Sequence, residues 1–255
     1  MKTENIKVYR RVADQKRLEF IINNIEKYIP EDGTILDVGC GNGVISSALG
    51  EVGFQVRGID VSEKTIETAR LQCELPNVQF DCVSAEALKL EQKKYDAIVC
   101  SEVLEHLDDP SPLLASLYEA LSEDGILIVT VPNGNGPREA FVTRPVLRLR
   151  NNGGWLWKQI LRVKQKLGYS GTTVQSDADN LDHVQFFSKN DLEQLSKTHQ
   201  FEITDFKNSN FLEEVFPISI VSRKLMIVQK IDCFVADLLP HFCTSGFLTV
   251  WKKGH

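Results

Sequence analysis

Ile35-Leu36-Asp37-Val38-Gly39-Cys40-Gly41-Asn42-Gly43 is the stretch that decides the fold. A short apolar run of strand character breaks into alternating glycines and then continues into a helix-compatible segment. Glycine is needed where the backbone must turn sharply and let a ligand lie against it with no Cβ between. In an open parallel sheet, the carboxyl end of the first strand is where ligands bind. A dinucleotide-binding loop would place a third glycine at position 44 in the pattern G-x-G-x-x-G, and this chain has Val44 there, so the pyrophosphate fingerprint fails.

Working outward, strand-like runs recur at 34–38, 55–59, 78–82, 95–100 and 126–131, with helix-compatible stretches between them. That alternation predicts a parallel sheet with helices on both faces. Upstream, Val12, Leu18, Ile21, Ile22, Ile25 and Ile29 form the apolar stripe of a helix that ends before Pro30. Further helices are expected at Ser62–Leu71 and Pro112–Leu121, and at Ser188–Ser196 with Ser188 as its cap. Asp124-Gly125 reads as the turn into the fifth strand, and two more strands are expected at Phe201–Phe206 and Phe247–Trp251. The regular pattern breaks over 133–180 and again over 211–240, which are read as insertions into a single domain covering 1–255, each a lid or acceptor-binding cover.

Composition narrows the class. The chain has 255 residues, 42% of them hydrophobic and 25% charged, which is ordinary for a globular protein. No apolar run is long enough to span a bilayer and no secretory signal opens the sequence, so a soluble, cytoplasmic protein is expected. The six cysteines are scattered, without C-x-x-C pairs, which argues against a zinc knuckle or a disulfide framework. A net charge of −6 disfavours generic nucleic-acid binding. Between Arg138 and Lys166, however, eight Arg or Lys face one acid, Glu139. Within that tract Trp155–Leu167 has one apolar and one basic side, which suits an anionic membrane surface, a phosphate-bearing substrate, or a plain solvated lid. The 211–240 segment, rich in Ile, Val, Leu and Phe, reads as a helical cover or a homodimer surface.

Seventeen residues after Gly43 the second strand ends in Gly58-Ile59-Asp60-Val61, and an acid there can accept hydrogen bonds from both hydroxyls of a ribose. Residues 30–131 as a series resemble class I S-adenosylmethionine-dependent methyltransferases. The resemblance implies a doubly wound α/β fold, a mostly parallel seven-stranded Rossmann-like sheet with helical insertions after strands five and six. It also implies S-adenosylmethionine as cofactor. Gly39 and Gly41, in one loop with Asp37 and Cys40, would pass the methionine part; Asp60 would hold the ribose and Val61 would pack on the adenine. Ala85, between Ser84 and Glu86, would meet the adenine edge, and Ser101 would lie near the methionine amine. Many members of that family carry Asp where this chain has Ser84.

The fourth strand continues into Ser101-Glu102-Val103-Leu104-Glu105-His106, read as the start of a helix on which Glu102, Glu105 and His106 share one face. Asp182-His183 follows much later. The Glu-x-x-Glu-His pattern resembles that of ubiquinone-biosynthesis O-methyltransferases. With the later histidine it is also similar to small-RNA 2′-O-methyltransferases, in which two glutamates and two histidines hold a divalent ion. Three readings stay open here. Glu102, Glu105, His106 and His183 hold a cation such as Mg or Mn that activates an acceptor hydroxyl; or His106, with Glu105 and His183, works as a metal-free base; or the cluster braces a helix start. The expected activity is O-methylation of a hydroxylated small molecule such as a sugar, a quinone precursor or a lipid-linked acceptor. RNA ribose methylation and a non-catalytic, cofactor-binding accessory role are the alternatives.

Overall fold

The structure, a computed structural model, describes residues 9–90, 93–137, 140–141, 144, 184–213, 215, 218–222 and 224–254. Seven strands, β1 (Thr34–Val38), β2 (Gln55–Asp60), β3 (Val78–Cys82), β4 (Tyr95–Ser101), β5 (Leu121–Pro132), β6 (Phe201–Asn208) and β7 (Gly246–Lys253), form one sheet in the order β3-β2-β1-β4-β5-β7-β6. The first five strands run parallel and β7 lies antiparallel to both β5 and β6. The doubly wound, mostly parallel seven-stranded α/β architecture expected from the sequence is therefore the observed one.

Strand residues alternate between two cores, as a sheet buried on both faces requires. Along β4, Ala97 and Val99 join Leu18, Ile21 and Ile25 of α1 (Val12–Tyr28) and Leu49 of α2 (Val44–Val52). Ile98 and Cys100 face the opposite core, with Leu114 and Leu117 of α4 (Ser111–Ala120), Leu192 of α5 (Lys189–Thr198) and Trp251. α3 (Glu63–Gln72) starts at Ser62, whose hydroxyl accepts from Thr65 N, and α5 starts with a full capping box between Ser188 and Asp191.

Two expectations need correction. Asp124-Gly125 is not a turn ahead of β5: the strand already begins at Leu121, and its register against β4 shifts between Tyr95 and Ala97, so the pair sits in a bulge. The stretch Glu102–His106 does not form one helix. Only Leu104–His106 makes a single 3-10 turn, and Glu102 stands before it with φ 58°, in the left-handed region. In the second insertion, α6 (Ile218–Ser222) packs on α7 (Met226–Leu238), which lies against α1 and buries Gln229 and Asp232 together with Cys233 and Ala236. The basic segment 155–167, most of the 133–180 insertion, and His183 lie outside the described residues.

The strand order reverses between β1 and β4, so a crevice opens between their carboxyl ends. The glycine loop leaves β1 there, and Ser101 and Glu102 leave β4.

Candidate active site

Gly39, Gly41 and Gly43 all have positive φ, at 65°, 54° and 78°. At Gly39 a Cβ would also come within 2.5 Å of Val103 Cγ2, so the loop lies flush against the end of β4. Two bonds tie this loop to β2: Cys40 N donates to Ile59 O at 3.0 Å, and Gly41 N donates to Asp60 Oδ2 at 3.1 Å. The other carboxylate oxygen, Asp60 Oδ1, accepts from Ser62 N at 2.9 Å. Asp60 thus fixes both the glycine loop and the start of α3. Each of its oxygens carries a second lone pair for a ligand hydroxyl. Val61 next to it is 76% exposed, an apolar side chain held at the crevice.

Asp37 is buried beneath the loop, and its Oδ2 accepts from Ser46 Oγ at 2.6 Å. Burial pushes its carboxyl up to about 7, more than offsetting the Ser46 bond. Because the folded chain holds this proton up to about pH 7 while a free aspartate loses it near 3.8, unfolding releases a proton in between. Stability therefore falls as pH rises through that interval. Asp37→Asn keeps an acceptor for Ser46 and removes the charge. The variant is expected to melt higher than the unsubstituted chain at pH 8, with the difference closing as pH falls toward 4; scanning calorimetry across that range checks it. Burial, then Asp37 and Asp60, also raise the Cys40 thiol, which keeps it protonated and unreactive within the loop.

On the adenine side of the expected site, Ala85 is buried at the start of a 3-10 stretch, Ala85–Leu90, and Ser84 O accepts from Ala87 N at 3.1 Å. The Glu86 side chain is not among the described ones. Ser101 Oγ lies 2.9 Å from Thr130 Oγ1, which anchors the β4 end to β5.

The three groups after β4 part company. Glu102 turns toward α1: its Oε1 accepts from Thr130 Oγ1 at 3.1 Å and lies 3.4 Å from Arg17 Nη1. Burial lowers the Arg17 pKa, but Glu102 and then Asp14 outweigh it and leave it raised, so a buried cation is matched by two carboxylates. Glu105 is buried, and its Oε1 lies 3.8 Å from His106 Nε2. The backbone carbonyl of Glu105 accepts from Val184 N at 2.8 Å and Gln185 N at 3.0 Å, which pins the returning chain against this turn. Among the described residues no group of three or more His, Cys, Asp or Glu is gathered to hold a metal ion. Glu102 is paired with Arg17, and His183, the fourth residue of the expected cation site, is not described.

On the α1 side of the crevice Glu102 is joined by residues that the sequence did not single out. Arg11, Asp14, Arg17, Glu102, Asn210 and Phe247 line a cleft at the ends of β4, β5 and β7. Asn210 Oδ1 accepts from Ser209 Oγ at 2.7 Å, whereas its buried Nδ2 has no hydrogen-bond partner among the described residues. In the sequence Arg17 is one polar residue beside the apolar stripe of α1, and nothing local to Asn210 marks it.

A family profile described as a methyltransferase domain matches residues 9–205. The chain belongs to the methyltransferase-domain family. A ubiquinone biosynthesis O-methyltransferase from Idiomarina loihiensis is 35% identical over 122 residues, 47% of this chain and 49% of that protein. The matched stretch therefore spans about half the length of such curated relatives. Among solved structures, the YcgJ protein of Bacillus subtilis superposes with a TM-score of 0.60 at 17% identity, covering 94% of this chain and 99% of that one. Magnesium protoporphyrin IX methyltransferase from Synechocystis, with bound S-adenosylhomocysteine, gives 0.58 at 16% identity, covering 95% and 84%. At such identities the likeness establishes the shared fold of this methyltransferase domain.

Proposed function

We propose that this methyltransferase domain transfers a methyl group from S-adenosylmethionine to a hydroxyl oxygen of a small molecule, without a metal ion. The residues present fit the cofactor. Positive-φ glycines leave the crevice floor free of side chains, Asp60 offers free lone pairs to ribose hydroxyls, and Val61 presents an apolar surface to the adenine. Asp37 lies below the methionyl end, where a nearby ammonium would favour its charged form. Ser84, Ala85 and Glu86 would border the adenine edge and Ser101 the amine, with Cys40 part of the loop wall. When bound, the cofactor supplies an electrophilic methyl on a sulfonium.

The observation that carries the oxygen assignment is His106, 3.8 Å from the buried Glu105 carboxylate where β4 opens on the crevice. A neutral hydroxyl is a weak nucleophile, and a histidine that takes its proton leaves a lone pair free to attack. Glu105 would stabilise the imidazolium so formed. The cleft toward Arg17 and Asn210 is the natural place for the rest of the acceptor. Its two arginines and two acids cancel, and the Asn210 amide N–H is left for a neutral oxygen. The name shared by the curated relatives supports a small hydroxylated acceptor.

The test uses cofactor labelled with carbon-13 in the methyl group and a panel of dihydroxybenzenes, monosaccharides and prenylated phenols, with and without a chelator. The expected product shows the label at the chemical shift of a methyl ether, at an unchanged rate with chelator present. Label on nitrogen or carbon would refute the oxygen assignment, and turnover abolished by the chelator and restored by Mn or Mg would refute the metal-free base.

A further inference from the structure

α7 is amphipathic the wrong way round for a helix that only covers its own domain. Its inward side carries two polar side chains, Gln229 and Asp232, beside the small Cys233 and Ala236, and both polar groups are engaged. Gln229 Oε1 accepts from Val12 N at 2.9 Å and its Nε2 donates to Ser222 O at 2.7 Å. Asp232 accepts from Phe211 N and Leu212 N, both at 2.8 Å. These bonds satisfy backbone groups at the start of α1 and before α6, so the helix cannot rotate without orphaning them. The outward side is consequently the apolar one: Ile227, Ile231, Phe234 and Leu238 follow a spacing of four, three and four and are 56–71% exposed. α6 adds Ile220 and Val221, and Phe242 just beyond α7 is 70% exposed. Exposed apolar surface concentrated in this way marks an interaction site.

Charge chooses the occupant. Lys224 and Lys230 are exposed at the border of this face. The acid beside them on α7, Asp237, is held by Lys16 at 2.7 Å. A second copy of the same face paired in parallel would bring lysines against lysines. An apolar helix face bordered by lysines suits the boundary between acyl chains and anionic headgroups. We infer that the outward face of α6 and α7 docks on the surface of an anionic lipid bilayer. Among the described residues no helix is long and apolar enough to cross a membrane. If the methyl-transfer reading above holds, docking would set the α1 cleft beside the bilayer and favour amphiphilic acceptors, since α7 packs on the same α1 that lines that cleft.

Sedimentation of the full chain with vesicles tests this without reference to catalysis. The chain is expected to pellet with vesicles of phosphatidylcholine mixed with phosphatidylglycerol, and far less with phosphatidylcholine alone. Ile231→Glu with Phe234→Glu should cut binding at least tenfold, and Lys224→Gln with Lys230→Gln roughly tenfold on the anionic vesicles. Both pairs are exposed, so melting temperature and S-adenosylmethionine affinity should match the unsubstituted chain; a loss of cofactor binding in the unsubstituted chain would count against the proposed function and leave this proposal standing. A chain that stays in the supernatant with both vesicle types overturns it, as does an Ile231→Glu, Phe234→Glu variant that pellets normally. So does light scattering that shows a dimer dissociated by that pair with no vesicle binding, which would give the face to a second copy.

Discussion

His106→Ala is expected to lower kcat by about 10²–10⁴-fold while leaving S-adenosylmethionine affinity unchanged. The ring is placed by a 3-10 turn that begins two residues after Glu102, and the Glu105 carboxylate beside it has no access to solvent that would screen their interaction. Rate should fall as pH is lowered and the imidazole takes up a proton, because only the neutral ring can accept one from the acceptor. Glu105→Gln should be less damaging, since it removes stabilisation of the imidazolium but leaves the base. Stopped-time assays with a methyl-labelled cofactor, run with calorimetric titration of the same proteins, separate the two roles. A His106→Ala enzyme with normal kcat would remove the base from the mechanism.

The second large effect is expected at Asp60. One carboxylate holds Gly41 N, holds Ser62 N and, in the proposed complex, accepts from the ribose hydroxyls. Asp60→Ala loses the ligand bonds and loosens the loop they depend on. Hydrogen bonds to a charged group are worth about 1.5–3 kcal/mol, which corresponds to a weakening of at least tenfold in the dissociation constant. Asp60→Asn should fall in between, because its single oxygen can keep one of the backbone partners. Calorimetric titration with S-adenosylmethionine measures both, and a well-folded Asp60→Ala chain that binds like the unsubstituted one would exclude Asp60 from the site.

Much of this was legible in the sequence because the signals are local. The apolar run Ile35–Val38, the glycines after it and Asp60 at the end of β2 each act on neighbouring backbone, and Ser62 and Ser188 cap helices within a few residues of themselves. The failures are non-local. Offsets of three and four on an assumed helix put Glu102 beside Glu105 and His106, but Glu102 takes a left-handed conformation, and its Oε1 finds Thr130 and Arg17 from distant elements. Hydrophobic periodicity located α7 but could not say which side faced inward, since that is decided by Gln229 and Asp232 reaching backbone groups at Val12, Phe211 and Leu212. Asn210 has no sequence signal at all: its place in the cleft arises from where β6 ends against β7 and the start of α1.

The central claim, that the loop from Asp37 to Gly43 and the end of β2 form one S-adenosylmethionine site, is tested most directly by nitrogen-15 NMR of the backbone amides during titration with the cofactor. The account predicts large shifts at Gly39, Gly41, Val61, Ala85 and Ser101, with Gly254 at the far end of β7 unmoved. Shifts confined to other parts of the sheet, or a folded chain whose glycine-loop amides do not respond, would contradict it.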